Sequence, residues 1–256
     1  MSGSNPQERP VIVDRAGPQD LAFSLASVTK LLSAAAVLVA VEEETLALDG
    51  AAGPPDSTIA HLLAHASGLG LDGGIAAPPG RRRIYSNAGF DELGAAVSGS
   101  AGMSFVDYLT EAVLEPLSMT ATSLEGSPGH GGRSTAADMA RFAQELLRPQ
   151  VLDRTTVDVA TRVAFSGLDG MLPGFGPQRP NDWGLGFEIR AHKVPHWTGA
   201  ANSPATFGHF GRSGTFLWVD PVAEVACVCL TDRPFGPWAT EAWPKLSDTV
   251  LAAATD

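Results

Sequence analysis

Ala26-Ser27-Val28-Thr29-Lys30 leads directly into an apolar run from Leu31 to Val41. The run is rich in Leu, Ala and Val and stops at Glu42-Glu43-Glu44, so the pattern predicts a buried helix. Its eleven residues are too few to cross a bilayer. The segment therefore predicts a core helix whose first turn carries a serine and a lysine.

Ser27 and Lys30 are three residues apart, which places them on the same face of this helix. The helix N-terminus favours developing negative charge, and a lysine whose pKa is lowered by burial can take a proton from a serine hydroxyl. The chain has fourteen arginines but three lysines. Of these two cationic residue types, lysine can lose its proton in a protein and arginine cannot. The pair suggests a nucleophile and its base. The same Ser27-x-x-Lys30 pattern also fits a serine that caps the helix beside a lysine that extends to solvent. This alternative stays open here.

Length and composition are ordinary for a soluble globular protein. The 256 residues are 44% hydrophobic and 18% charged, and we predict one domain over residues 1–256 with a helical subdomain at roughly 50–180. The net charge of -11 argues against nucleic acid and anionic membrane as partners. The first twenty residues contain no apolar segment typical of a signal peptide, so we expect a cytoplasmic protein. The oligomeric state is left open.

The remaining pattern predicts an α+β fold, with helices first and closely spaced strands later. Thr135 and Asp138 resemble a capping box that opens a helix. Gly99 and Gly102 are expected to interrupt a long helical region. The predicted helices lie at 57–66, 88–114, 136–147 and 239–254, the predicted strands at 11–13, 183–190, 206–211, 215–219 and 225–231, and a loop at 173–180.

Two further motifs contain candidate site residues. Tyr85-Ser86-Asn87 is predicted on a loop, where a phenol and an amide can face a cleft. Gly208-His209-Phe210-Gly211-Arg212-Ser213-Gly214 follows on a predicted strand, where glycines allow close approach of a ligand to the backbone. Each has an ordinary structural explanation when taken alone: a turn tyrosine with an Asn helix cap, and a tight β-bend.

Together, Ser27-x-x-Lys30, Tyr85-Ser86-Asn87 and His209-Phe210-Gly211 resemble the serine β-lactamase and penicillin-binding-protein family, in its class C and esterase-like branch. The stretches 62–69, 115–122 and 134–138 resemble the same branch. The resemblance implies an antiparallel β-sheet flanked by helices, with a helical subdomain facing it. It also implies a serine hydrolase that forms an acyl-enzyme on a small ester, amide or lactam, without a metal or other cofactor.

Carried over by position, the resemblance makes Ser27 the nucleophile, Lys30 its base or proton relay, and Tyr85 the partner acid or base. Asn87, His209 and Gly211 would line the substrate site, and the N–H groups of Ser27 and Arg212 would stabilise the oxyanion. The third motif has His209 where many relatives have a lysine that holds a substrate carboxylate, so small esters are the expected substrates. A β-lactamase or D-Ala-D-Ala-type peptidase, an acyltransferase, and an inactive binding module of the same fold remain alternatives.

Two other features receive structural interpretations. His61 and His65 have the i, i+4 spacing of a zinc pair, but no third ligand is evident. Arg81-Arg82-Arg83 can bind an anionic substrate, but the pattern favours a solvated loop. Neither is assigned to the site.

Overall fold

The computed structural model describes residues 16–255, and the strand predicted at 11–13 lies outside them. A 3-10 turn, Ala26–Val28, precedes the first helix, and a π-helical turn, Thr110–Leu114, follows the fourth. Within the described part, no helix is both long enough and apolar enough to span a bilayer. The helices are α1 (Thr29–Glu42), α2 (Ile59–Leu63), α3 (Ala88–Ala101), α4 (Phe105–Leu109), α5 (Ala136–Leu147), α6 (Arg154–Ala160) and α7 (Pro237–Thr255).

The described strands form three antiparallel sheets. The four-stranded sheet has the order β6-β7-β8-β9, and its last three strands form the predicted meander. These strands are β6 (Glu188–Ile189), β7 (Phe207–Gly211), β8 (Thr215–Asp220) and β9 (Val225–Cys229). A second sheet, in the order β1-β3-β2, joins Phe23–Ser24, Gly132–Ser134 and Ser123–Leu124, and β4 (Gly170–Leu172) pairs with β5 (Gly176–Gln178). The predicted α+β class, an antiparallel sheet with flanking helices, is confirmed.

Strand β8 is buried along its whole length because both faces of its sheet are covered. Successive side chains of a strand point to opposite faces. Leu217 and Val219 belong to the main core, which also contains α1 and α5, whereas Phe216 and Trp218 join a second cluster with Trp243 of α7. The sheet therefore separates two apolar layers.

Helix α1 is the central helix predicted from the apolar run. Every residue from Thr29 to Ala40 is buried, and the helix packs against α3, α4 and β7. Because neighbours surround it, the helix has no polar face to mark its orientation. This environment also surrounds Lys30.

Three element predictions differ from the structure. Helix α3 continues through Gly99 and ends at Gly102, whose left-handed φ of 69° makes it the C-cap. Residues 173–180 contain the turn of the β4–β5 hairpin rather than a plain loop. Of the strand predicted at 183–190, only Glu188–Ile189 pairs with β7. Gly186, at φ 94°, brings the backbone against Ala34 of α1, and this close approach removes the preceding residues from the sheet.

Candidate active site

Ser27 lies in the 3-10 turn immediately before α1, two residues ahead of the first α-helical residue rather than inside the helix as predicted. Ala26 adopts a left-handed φ of 44°, and Thr29 Oγ1 donates to the Ala26 carbonyl at 2.6 Å. Thr215 Oγ1 of β8 donates to the Leu25 carbonyl at 3.0 Å. These bonds hold the turn from both sides, and Ser27 itself remains partly exposed. Thr29 and Thr215 are positioning residues that the sequence did not single out.

Lys30 is fully buried at 0% exposure, which excludes the interpretation of a lysine extending to solvent. Its Nζ donates to Asn87 Oδ1 and to the Gly129 carbonyl oxygen, each at 2.7 Å. Burial lowers the pKa of Lys30 to about 7, although the negative charges of Asp91 and Asp72 act in the opposite direction. A substantial fraction of Lys30 is therefore neutral at physiological pH.

Tyr85 lies beside this amine, with Lys30 Nζ 4.7 Å from the centre of its ring. Burial raises the pKa of Tyr85 well above its usual range, and a hydrogen-bonding contact with the Ser27 side chain partly opposes the rise. The buried Tyr85 hydroxyl nevertheless makes no hydrogen bond of acceptable geometry in the described part of the chain. The direction of the shift follows from burial alone, so Tyr85 is a neutral phenol at pH 7.

Asn87 is held from two sides. Its Oδ1 accepts from Lys30, and its Nδ2 donates to Asp72 Oδ1 at 3.3 Å. Its backbone N–H donates to the Leu71 carbonyl at 2.7 Å, which fixes it at the start of α3. Its side chain makes no capping hydrogen bond there, so the helix-cap explanation of the motif is wrong.

The third motif lies on β7, next to the turn that carries Ser27. A Cβ on Gly211 would overlap the Leu25 carbonyl and stand 2.7 Å from Thr215 Oγ1, so only glycine permits this approach. Arg212 follows directly and is exposed. The backbone at Gly211 thus lies against the Leu25 carbonyl and Ala26, directly before Ser27. The oxyanion role of the Ser27 and Arg212 N–H groups stays a prediction.

His209 faces inward rather than toward a solvent-filled cleft. It is buried, its ring centre lies 5.7 Å from that of Tyr85, and its Nδ1–H donates to the Phe210 carbonyl at 2.7 Å. Burial and the nearby positive charge of Lys30 lower the pKa of His209 to about 3. His209 therefore carries no charge at physiological pH and cannot replace the missing lysine as a cation.

The arginine triplet divides into two roles. Arg83 is buried and donates to the carbonyl oxygens of Ala64, Asn181 and Ala164, which anchors the loop before Tyr85. The expectation of a solvated loop is therefore wrong for Arg83. Arg81 and Arg82 are exposed and line a cavity of about 410 Å³ near the β4–β5 hairpin. That cavity includes none of the predicted site residues.

His61 and His65 do not form a metal site. His61 Nδ1 is bonded to Thr58 Oγ1 at 2.9 Å, and its ring stacks on Phe165. His65 is buried beside Tyr85. In residues 16–255, no group of three or more His, Cys, Asp or Glu side chains could hold a metal ion.

Comparisons with known proteins concern the family and the fold of the chain. A family model described as Beta-lactamase matches residues 11–250. A crystal structure of a β-lactamase from Mycobacterium bovis is 56% identical, has a TM-score of 0.93, and covers 94% of this chain and 90% of that chain. EstCE1, described as a hydrolase with promiscuous acyltransferase activity, shares the fold at 19% identity and a TM-score of 0.76, covering 91% of this chain and 86% of that chain.

A curated relative matches a shorter stretch. The putative D-alanyl-D-alanine carboxypeptidase of Salmonella typhi is 32% identical over 142 residues, which is 51% of this chain but 28% of that relative. The chain therefore corresponds to little more than a quarter of the relative's length. The family match and the Mycobacterium bovis structure cover nearly the whole chain, and together they show that it belongs to the β-lactamase family of serine hydrolases.

Proposed function

We propose that this protein is a serine esterase that forms an acyl-enzyme at Ser27 with small neutral esters. The observation that carries the proposal is the hydrogen bonding of Lys30. A neutral amine has two N–H bonds and one lone pair, and the two N–H bonds are taken up by Asn87 Oδ1 and the Gly129 carbonyl. The lone pair is then free to accept the Ser27 proton, because burial keeps much of Lys30 unprotonated.

In the first step, Ser27 Oγ attacks the ester carbonyl and its proton passes to Lys30 Nζ. The carbonyl oxygen becomes an oxyanion, which the N–H groups of Ser27 and Arg212 stabilise. The C–O bond to the alcohol then breaks, and the alkoxide leaves with a proton. Tyr85, a neutral phenol between Lys30 and Ser27, relays that proton: its hydroxyl gives one to the alkoxide and regains one from the Lys30 ammonium.

Water completes the cycle by the same route in reverse. Lys30, again neutral, takes a proton from the attacking water through Tyr85. The acyl–Ser27 bond then breaks, and the Lys30 ammonium returns the proton to Ser27 Oγ as the acid leaves. Lys30 is preferred over Tyr85 as the resting base because burial favours the neutral form of both groups. Neutral lysine is a base, whereas neutral tyrosine is an acid.

The substrate assignment follows from charge. His209 is neutral, and the carboxylates nearest the site, Asp72 and Asp91, are close enough to affect Lys30. A substrate carboxylate would meet these negative charges without a lysine at the third motif to hold it. Neutral esters avoid that cost. β-Lactam hydrolysis is the second candidate, because a relative described as a β-lactamase is 56% identical.

Replacement of Ser27 tests the proposal. We expect Ser27→Ala to lower kcat for a p-nitrophenyl ester by about 10³-fold or more while the folded structure is kept. Mass spectrometry should find a fluorophosphonate adduct on Ser27 in the unmodified protein and none in the variant. Normal turnover by Ser27→Ala would reject the nucleophile. Labelling of Ser27 without ester turnover would instead favour the lactam substrate, or an acyltransferase that needs another acceptor.

A further inference from the structure

His65 occupies an energetically costly position directly after helix α2. Its φ is 53°, a left-handed value that glycine adopts most readily at a helix end. Its side chain is 1% exposed, and its Nε2 has no hydrogen-bond partner among the described residues. A buried unpaired polar atom and a left-handed backbone each cost free energy. This combination calls for a function of the imidazole that glycine would not supply.

Besides ring contacts with Trp183 and Phe90, His65 makes contacts on both sides of Tyr85. The N–H of Ile84 donates to the His65 carbonyl at 2.9 Å, and the N–H of Ser86 donates to His65 Nδ1 at 3.1 Å. His65 therefore binds the residue before Tyr85 and the residue after it. The rings of His65 and Tyr85 are also in contact, with centres 4.6 Å apart.

The geometry points to His65 as the positioning residue that holds Tyr85 against Lys30 and Ser27. This inference rests on the proposed function, because Tyr85 matters only if it takes part in proton transfer. The imidazole fixes the backbone on both sides of Tyr85 and the face of its ring. A displacement of about 1 Å in a catalytic group can cost roughly 10²-fold in rate.

The hydrogen bond from Ser86 also determines the state of the imidazole. Nδ1 accepts, so Nε2 carries the proton, and a second proton on Nδ1 would abolish the bond. Burial, followed by the nearby positive charges of Lys30 and Arg83, holds the pKa of His65 well below its usual range. The positioning contact thus persists throughout the pH range in which Lys30 titrates.

Three substitutions separate the acceptor from the backbone. His65→Asn keeps an acceptor near the position of Nδ1 and tolerates a left-handed φ. His65→Gly keeps the backbone freedom but loses the acceptor. His65→Leu resembles Asn in shape and has no acceptor, so the Asn and Leu variants carry the test if the Gly variant does not fold. His61→Asn and His61→Gly are the matched controls, since His61 contacts Thr58 and Phe165 instead of Tyr85.

The measurement is kcat and KM for a p-nitrophenyl ester, with thermal melting as a check of folding. We expect His65→Gly and His65→Leu to lower kcat by about 10²-fold with little change in KM. His65→Asn should recover at least about tenfold of that loss, and the His61 variants should match the unmodified protein. A folded His65→Gly with normal kcat, or an Asn variant as slow as Gly and Leu, would overturn the inference. If Ser27→Ala is inactive while these outcomes occur, only the inference fails; if Ser27→Ala is active, the proposed function fails.

Discussion

Lys30 shows how one buried side chain determines the chemistry of the site. The sequence suggested the residue because lysines are rare in this chain, and the structure places it at the head of α1 with 0% exposure. Arginine at the same position would retain the charge but could not give up its proton. We therefore expect that charge alone cannot replace Lys30.

We predict that Lys30→Arg is nearly as damaging as Lys30→Met, with both lowering kcat/KM by about 10³-fold for a p-nitrophenyl ester. The matched control is Lys245→Arg, because Lys245 is exposed on α7 and pairs with Glu241 at 2.9 Å. The control should retain normal kcat/KM and melting temperature. An active Lys30→Arg would mean that Lys30 acts as a fixed charge and that Tyr85 is the base.

The pKa of Lys30 also predicts the pH dependence of the reaction. In the proposed mechanism activity requires the neutral amine, so kcat/KM should rise with pH through a midpoint of about 7. Asp91 raises the pKa of Lys30, and its removal should therefore lower that pKa and move the midpoint to lower pH.

Asp91→Asn is the variant that tests this shift, because the amide can still accept the hydrogen bond from Ser127 Oγ. Glu241→Gln, on α7, removes one negative charge elsewhere and serves as the control. The measurement is the pH profile of kcat/KM from pH 5 to 9. A midpoint that stays fixed in Asp91→Asn, or moves to higher pH, would contradict the assignment of the profile to Lys30.

The contact between β7 and the Ser27 turn is the decisive feature at the scale of elements. Gly211 allows the strand to approach the turn, and the sequence indicated only that a glycine there permits close approach of some kind. The structure identifies the neighbour as the Leu25 carbonyl and the Thr215 hydroxyl.

We predict that Gly211→Ala separates β7 from the turn, lowers kcat by about 10²-fold through the misplaced oxyanion donors, and destabilises the fold by about 1–3 kcal/mol. The control is Gly99→Ala, in the exposed part of α3, where an added Cβ meets nothing within 4 Å. This change should leave kcat unchanged and stabilise the protein by about 0.5–1 kcal/mol. Chemical denaturation and ester kinetics measure both effects. Normal activity in a folded Gly211→Ala would reject the role of this contact.

Charge distribution becomes important at the scale of the whole molecule. The chain carries a net charge of -11, and Asp72 and Asp91 add negative potential close to the site. His209, which stands where many relatives have a lysine, stays neutral because it is buried. We therefore expect substrates that carry a carboxylate to bind less well than neutral substrates.

We predict a kcat/KM at least about tenfold higher for a neutral p-nitrophenyl ester than for a chromogenic cephalosporin, a difference of about 1.4 kcal/mol. Asp72→Asn should narrow this ratio, since it removes a negative charge and leaves an acceptor for Asn87 Nδ2. Both substrates are measured on the same preparation. A cephalosporin value equal to or above the ester value would support the β-lactamase alternative.

The sequence by itself determined the family, the α+β class and the residues of the three motifs, because each motif is a short run of letters with a fixed order. It also identified α1 and α5, since apolar runs and caps are local signals: Thr135 accepts from the Asp138 N–H as a helix cap. The roles of the site residues and the helical subdomain at roughly 50–180 stay predictions.

The residues that hold the motifs in place could be identified only from the tertiary structure. From the sequence, Arg83 and His65 were interpreted as surface or structural residues. Their interactions with distant parts of the chain, with a carbonyl group for Arg83 and with the Ser86 N–H and the Tyr85 ring for His65, are visible only in the structure. The charge states of Lys30 and His209 likewise depend on burial, which lowers the pKa of both groups. Burial depends on how many distant segments pack around a side chain, and this cannot be read from the local sequence.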